Sequence, residues 1–306
     1  MTINASFSIF LEVLFPLILA AGAGALADRF LNFDLLSINR LALYIFAPAL
    51  IFSSLMKVQV TIDESLRVFL FVLFVTLGMA LIGWLYAYFS RLDGPTTSSV
   101  VLSVTTANSV NFGFPLLLFA FGNEAVQLGA ILVAFNSIGF NILGILFLTT
   151  RAPLPRPGTL RVLWRMPILY AIVLAVLFRL FGLDIPEFIF QPISRLGSAG
   201  IPVLLVAAGM EIGRSGLGNL NKDVWNTVAL RLLIAPLIAW NVSSLVGLTG
   251  LLKSVSILLA SMPTAIFPIA YAREFNSDTE FFSKTVLIST LCGMITLQIV
   301  LSLLTS

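Results

Sequence analysis

Two short stretches gather the residues best able to hold a ligand. One is Thr105-Thr106-Ala107-Asn108-Ser109-Val110-Asn111-Phe112-Gly113-Phe114-Pro115, the other Ser261-Met262-Pro263-Thr264-Ala265-Ile266-Phe267-Pro268. Each lies inside an apolar run. Pro115 lacks a backbone N–H and its ring clashes with the preceding turn, while Gly113 adds backbone freedom. Pro263 and Pro268 disrupt the second stretch more strongly. Asn108 and Asn111 would be costly in hydrocarbon without partners. A helix broken at mid-membrane restarts with unpaired N–H groups and about half a positive charge. Two such restarts converging would form an anion site. Neither stretch holds Asp or Glu, the residues a cation or proton exchanger usually places there, and Glu12 and Glu211 read as span-end residues. The expected guest is an organic anion, a carboxylate, rather than Na⁺. The expected site is Asn108, Asn111, Gly113, Pro115, Pro263, Thr264 and Pro268. Asn108 hydrogen-bonds the carboxylate, Asn111 assists, and the prolines keep N–H groups free.

Other polar residues stand nearby in sequence. Asn136 and Asn141 are read equally well as cavity residues or as packing contacts, and both are kept in the expected site. Ser289 and Thr296 read as interhelical hydrogen-bonding residues. Arg231 is expected to snorkel to the cytoplasmic interface, with pairing to the anion or to Glu211 as the alternatives, and Trp164 and Trp225 to sit in an interfacial belt.

These elements must stand in a membrane. The chain has 306 residues, 59% hydrophobic and only 10% charged, with a mean hydropathy of +1.06. Ordinary soluble domains carry about a quarter charged residues. With no histidine and one cysteine, Cys292, catalysis through histidine, haem ligation by histidine and Cys-based metal sites are excluded, so no metal or cofactor is expected. The isoelectric point near 9.2 does not point to nucleic acid, because the basic residues are scattered between apolar runs. An intramembrane protease would need histidine or paired membrane aspartates, so no enzyme is expected.

At ~20 residues per span, spans are expected at about 7–27, 36–56, 66–89, 98–121, 125–149, 163–181, 190–212, 224–248, 251–272 and 281–304. The first reads as a retained span rather than a cleaved leader. One set of loops holds nine basic residues (Arg29, Arg91, Arg151, Arg156, Arg161, Arg165, Arg214, Lys222, Arg273) and the opposite set four (Lys57, Arg67, Arg179, Lys253). The richer side should be cytoplasmic, which leaves both termini outside. A Pro-rich linker at 151–162 divides the chain.

The two halves are weakly alike. Ile38-Asn39-Arg40-Leu41 returns as Ile193-Ser194-Arg195-Leu196, Pro48 as Pro202 and Pro115 as Pro268, at offsets of 155, 154 and 153 residues. One match would mean little; three at nearly one offset favour duplication. Five spans per half invert the second copy (residues 163–306) relative to the first (1–150). Inverted repeats with matching broken helices are a transporter pattern. The expected fold is therefore an all-α membrane protein of ten transmembrane helices, two inverted five-helix repeats with crossed broken helices four and nine.

With these motifs the chain resembles the auxin efflux carrier family in its short bacterial form. Asn108, Asn111, Gly113 and Pro115 match the family's first crossover motif. Pro263, Pro268, Ala272, Arg273, Glu274 and Phe275 match the second, followed by Ser289-Thr290, and Pro48-Ala49-Leu50-Ile51-Phe52 matches its second span. The resemblance implies a fold of the bile-acid-symporter/Na⁺–H⁺-antiporter type. In it spans one, two, six and seven form a scaffold, and spans three to five and eight to ten a moving transport domain. It implies transport of auxin-like aromatic acids or of malate- and malonate-like acids by an elevator motion, in a plasma membrane, with a homodimer formed through the scaffold. The long hydrophilic loop of plant members is missing. Val110 and Phe267 stand where many bacterial members have Gly and a polar residue, which points to a bulkier or aromatic acid. The alternatives are a Na⁺-coupled organic-acid symporter like the bile acid transporters, and a channel or sensor.

Overall fold

The computed structural model describes residues 10–149, 167–214, 220–265 and 278–305, with the backbone alone over 138–149. The linker at 151–162, Pro268, the turn at Arg273 and the side chain of Asn141 lie outside the described residues.

The described chain is helical, and its one non-helical pairing is an isolated antiparallel bridge between Ala107 and Thr264. Ten helices follow in order: α1 (Phe10–Leu31), α2 (Leu35–Lys57), α3 (Ile62–Phe89), α4 (Gly94–Thr105), α5 (Phe114–Thr149), α6 (Pro167–Leu180), α7 (Glu187–Arg214), α8 (Lys222–Leu245), α9 (Gly250–Ala260) and α10 (Thr279–Leu304). Among the described residues, seven helical stretches are long and apolar enough to cross a membrane, and α6 and α9 are shorter apolar helices. The chain is a multi-pass membrane protein. Its outer surface is that of a body immersed in lipid, with Phe30, Phe181, Phe188 and Leu245 all more than two-thirds exposed.

Helix starts follow local chemistry. Thr61 and Glu64 form a reciprocal capping box on α3, and the side chains of Asp34, Asp93, Asn221 and Asp278 accept from the first turns of α2, α4, α8 and α10. Prolines leave a repeated mark. The π-helical turns Phe10–Leu14, Ala42–Phe46, Ser109–Gly113 and Leu230–Ile234 each end two residues before a proline, at Pro16, Pro48, Pro115 and Pro236. Proline cannot donate to the ladder and crowds the turn before it, and widening that turn relieves the clash. At Pro16, Pro48 and Pro236 the helix continues, so these prolines are mild distortions.

The stretch 114–149 is not one continuous helix. Gly122 has φ 82° and ψ −168°, a combination open to glycine. A Cβ placed on Gly129 would lie 2.6 Å from Leu117 Cδ1 and 3.3 Å from Phe114. Residues twelve apart on a straight helix are about 18 Å apart along the axis, so the chain doubles back at Gly122 and α5 is two antiparallel arms. Gly122→Ala is expected to destabilise the protein by about 1–3 kcal/mol, read as a lower thermal midpoint.

Two groups of helices pack internally. In the first, α1 lies against α7 at backbone distance: Cβ atoms on Gly24 and Gly209 would fall 2.2 Å from Val206 O and 1.9 Å from Ala21 O. Small residues permit this approach where no hydrophobic drive separates helix from lipid. An Arg214–Asp28 fork, with bonds of 2.6 and 2.5 Å, closes the same seam. Gly197 and Gly200 of α7 meet Leu50 and Phe46 of α2 in the same way, and α6 packs on α2. Arg179 of α6 donates to Leu55 O and Val58 O at the end of α2. The second group is α3, α4, α8, α9 and α10, and α5 touches both.

Candidate functional site

Helix α4 stops at Thr105 because the chain turns extended: Thr106 has ψ 116°, and the Thr105 and Thr106 hydroxyls donate back to Val101 O and Leu102 O. Helix α9 stops at Ala260, three residues before Pro263, as expected where proline disfavours helical backbone in the residue ahead of it. The two extended segments run antiparallel and complete each other. Asn108 N donates to Pro263 O at 2.9 Å and Ala265 N to Thr106 O at 3.1 Å. Thr264 Oγ1 donates to Ser103 O, and Thr264 N donates to Ser289 Oγ of α10. Backbone freed by the breaks is thus paired inside protein, the condition for irregular chain at membrane depth.

Gly113 fits this junction because a Cβ there would sit 2.6 Å from Leu259 Cδ2 of α9. Pro115 is buried at the second position of α5. The peptide N–H groups of Phe112 and Gly113 both donate to Asn108 O, so Asn108 precedes the π turn as its cap. Its side chain makes no capping bond.

That side chain faces a cavity of about 210 Å³ lined by Asn108, Phe112, Leu35, Ala208, Glu211, Ile212 and four residues of α10, among them Ser283 and Thr290. Asn108 is 8% exposed. The lining comes from both helix groups: α2 and α7 on one wall, and the crossing with α10 on the other. Successive residues of an extended segment face opposite ways, and Ala107 accordingly lines a second, small cavity of about 20 Å³ with Thr76, Thr105, Asn136 and Arg231.

The expected residues therefore divide. Asn108 reaches the larger cavity. Asn136 reaches the smaller one. Gly113, Pro115, Pro263 and Thr264 build the junction, and the Thr264 hydroxyl and N–H are both engaged there. Asn111 is half-buried and lines neither cavity. Ser289 is fully buried.

Two expectations from sequence are corrected. Arg231 does not snorkel. It is 1% exposed and donates to Val104 O, Ala260 O and Met262 O, each at 2.9 Å. Those carbonyls belong to the ends of α4 and α9, where the helix dipole is negative, so a buried guanidinium is better matched here than at an interface. Glu211 is not simply a span-end residue. It lies three residues from the end of α7, but its turn faces the larger cavity, and its carboxylate accepts a 2.7 Å hydrogen bond from Asn39 Nδ2. The sequence signal for Glu211 was a lone acid on an apolar helix face beside Ala207-Ala208-Gly209.

A family model described as membrane transport protein matches residues 9–154 and 156–301. An uncharacterized transporter of Methanothermobacter thermautotrophicus is 27% identical over 87% of this chain and 88% of its own length. One of Methanocaldococcus jannaschii is 23% identical over 86% and 87%. A probable auxin efflux carrier component 1b of Oryza sativa subsp. japonica is 30% identical over 44% of this chain and 25% of its own length. The family is one of transporters and not of enzymes. The chain belongs to the membrane transport protein family, the group that includes the auxin efflux carriers.

Proposed function

We propose that the chain is a secondary transporter of organic anions, carboxylates of the malonate, malate or indole-acetate kind, and that it works by elevator-type alternating access. The observation that carries this reading is the cavity lined by Asn108, whose side chain makes no capping bond, and walled by both helix groups. A side-chain amide donor suits a carboxylate. The group α1, α2, α6 and α7 is the scaffold in this reading, and the rest moves.

A ten-span, inverted-repeat topology is consistent with the doubling back at Gly122 and with the interruptions after α4 and α9. On the basic-residue count, Leu35, Glu211 and Ser283 lie near the cytoplasmic face of a plasma membrane, so the cavity opens inward and both termini lie outside. The scaffold also offers a surface for a homodimer.

The test is a thermal-shift screen of the purified protein against malonate, malate and indole-3-acetate. A ligand at a hundred times its Kd stabilises the folded state by about 2.7 kcal/mol, which raises the midpoint by several degrees. No shift with any carboxylate would remove the reading. Trans-stimulated uptake in proteoliposomes separates a carrier from a channel.

Glu211 favours a second reading, in which the guest carries a positive charge besides its carboxylate, as an amino acid does. The two readings differ in one variant. Glu211→Gln removes a like charge across the cavity and should tighten binding of malonate roughly tenfold, measured by titration. A guest that also uses Glu211 as acceptor would bind the variant more weakly.

A further inference from the structure

We infer that Arg231 is a tethered cation standing where a coupling metal cation would bind, so that transport by this chain needs no Na⁺. This rests on the transporter reading and concerns its energetics. Val104 O, Ala260 O and Met262 O converge on the guanidinium from the ends of two helices, all at 2.9 Å. Carbonyls freed at half-helix C-termini are the oxygen set that holds a small cation in broken-helix transporters, and the two helix dipoles add negative potential at the same point. In this chain the set is already occupied. The guanidinium spends three of its five N–H donors on it.

The surroundings close the site to a second cation. The adjoining cavity of about 20 Å³, with Thr76, Thr105 and Asn136 on its wall, has room for about one water. A metal ion there would face a fixed positive charge in a poorly screened place. Among the described residues no carboxylate pairs with Arg231, whose partners there are the three carbonyls. The positive charge is thus matched to carbonyls and helix ends, as a bound ion's would be. Lysine, a point charge with three donors, would fill the set less well than the planar fork.

The experiment is the thermal midpoint of the purified protein with no carboxylate present, as Na⁺ replaces choline at constant ionic strength. The wild type is expected to show no change. Arg231→Ala should melt roughly 10 °C lower and recover at least half of that loss on addition of Na⁺ or methylguanidinium. Arg231→Lys should lose less and stay insensitive to Na⁺. A wild-type midpoint that rises saturably with Na⁺ would overturn the inference, and so would a folded Arg231→Ala protein that responds to no small cation. Should Arg231→Ala not fold, the wild type and Arg231→Lys decide: sensitivity of either to Na⁺ overturns the inference and insensitivity of both supports it. Failure of the carboxylate screen sinks the transport reading alone, because these midpoints are recorded without carboxylate.

Discussion

Asn108→Ala is expected to weaken carboxylate binding by roughly 10–100-fold while leaving the unliganded protein's thermal midpoint nearly unchanged. A hydrogen bond to a charged group contributes about 1.5–3 kcal/mol, and each 1.4 kcal/mol is about a factor of ten in affinity. The two effects separate because Asn108 works through different atoms. Its N–H and carbonyl hold the junction, to Pro263 O and from Phe112 and Gly113 N–H, and alanine keeps both. Its amide faces the cavity without capping the turn. Asn111→Ala should change affinity far less, since Asn111 lines neither cavity. Titration calorimetry with the best carboxylate from the screen checks both variants. Equal losses would mean that the helix start, not the Asn108 amide, selects the guest.

Gly209→Leu is expected to abolish a monodisperse folded protein, or to lower its midpoint by ~10 °C or more. A Cβ at this position would lie 1.9 Å from Ala21 O and 2.5 Å from Ala21 C, both backbone atoms that cannot rotate away. The α1–α7 seam must then part, which also strains the Arg214–Asp28 fork. Overpacking a close seam costs about 1–3 kcal/mol when side chains can adjust, and more when backbone must move. Gly22→Leu is the matched control. It lies on the same helix as Gly24, and its Cβ would meet nothing within 4 Å, so size-exclusion profile and midpoint should match the wild type.

The breaks at Asn108 and Pro263 were legible because each rests on local chemistry, a Thr-Thr-Ala-Asn run or a proline inside an apolar stretch. Pairing was not legible. Nothing in the sequence says that Asn108 N–H meets Pro263 O, because that contact joins residues 155 apart in the chain. The same gap misplaced Arg231. An arginine two turns into an apolar helix reads as snorkelling when only its own helix is in view. Its partners are carbonyls, which every residue type carries and which leave no compositional trace. Glu211 was misread because its distance from the helix end was visible and the direction of its turn was not. Asn111, three residues from Asn108, fell away from the cavity because the π turn between them changes which residues share a face.

Uptake of a labelled carboxylate chosen by the thermal-shift screen, into proteoliposomes empty or preloaded with the same unlabelled acid, tests the central claim most directly. Wild-type protein should take up the label faster into preloaded vesicles, and Asn108→Ala protein incorporated at equal density should lose that stimulation. Equal stimulated uptake by the two proteins would place the carboxylate somewhere other than the cavity beside Asn108.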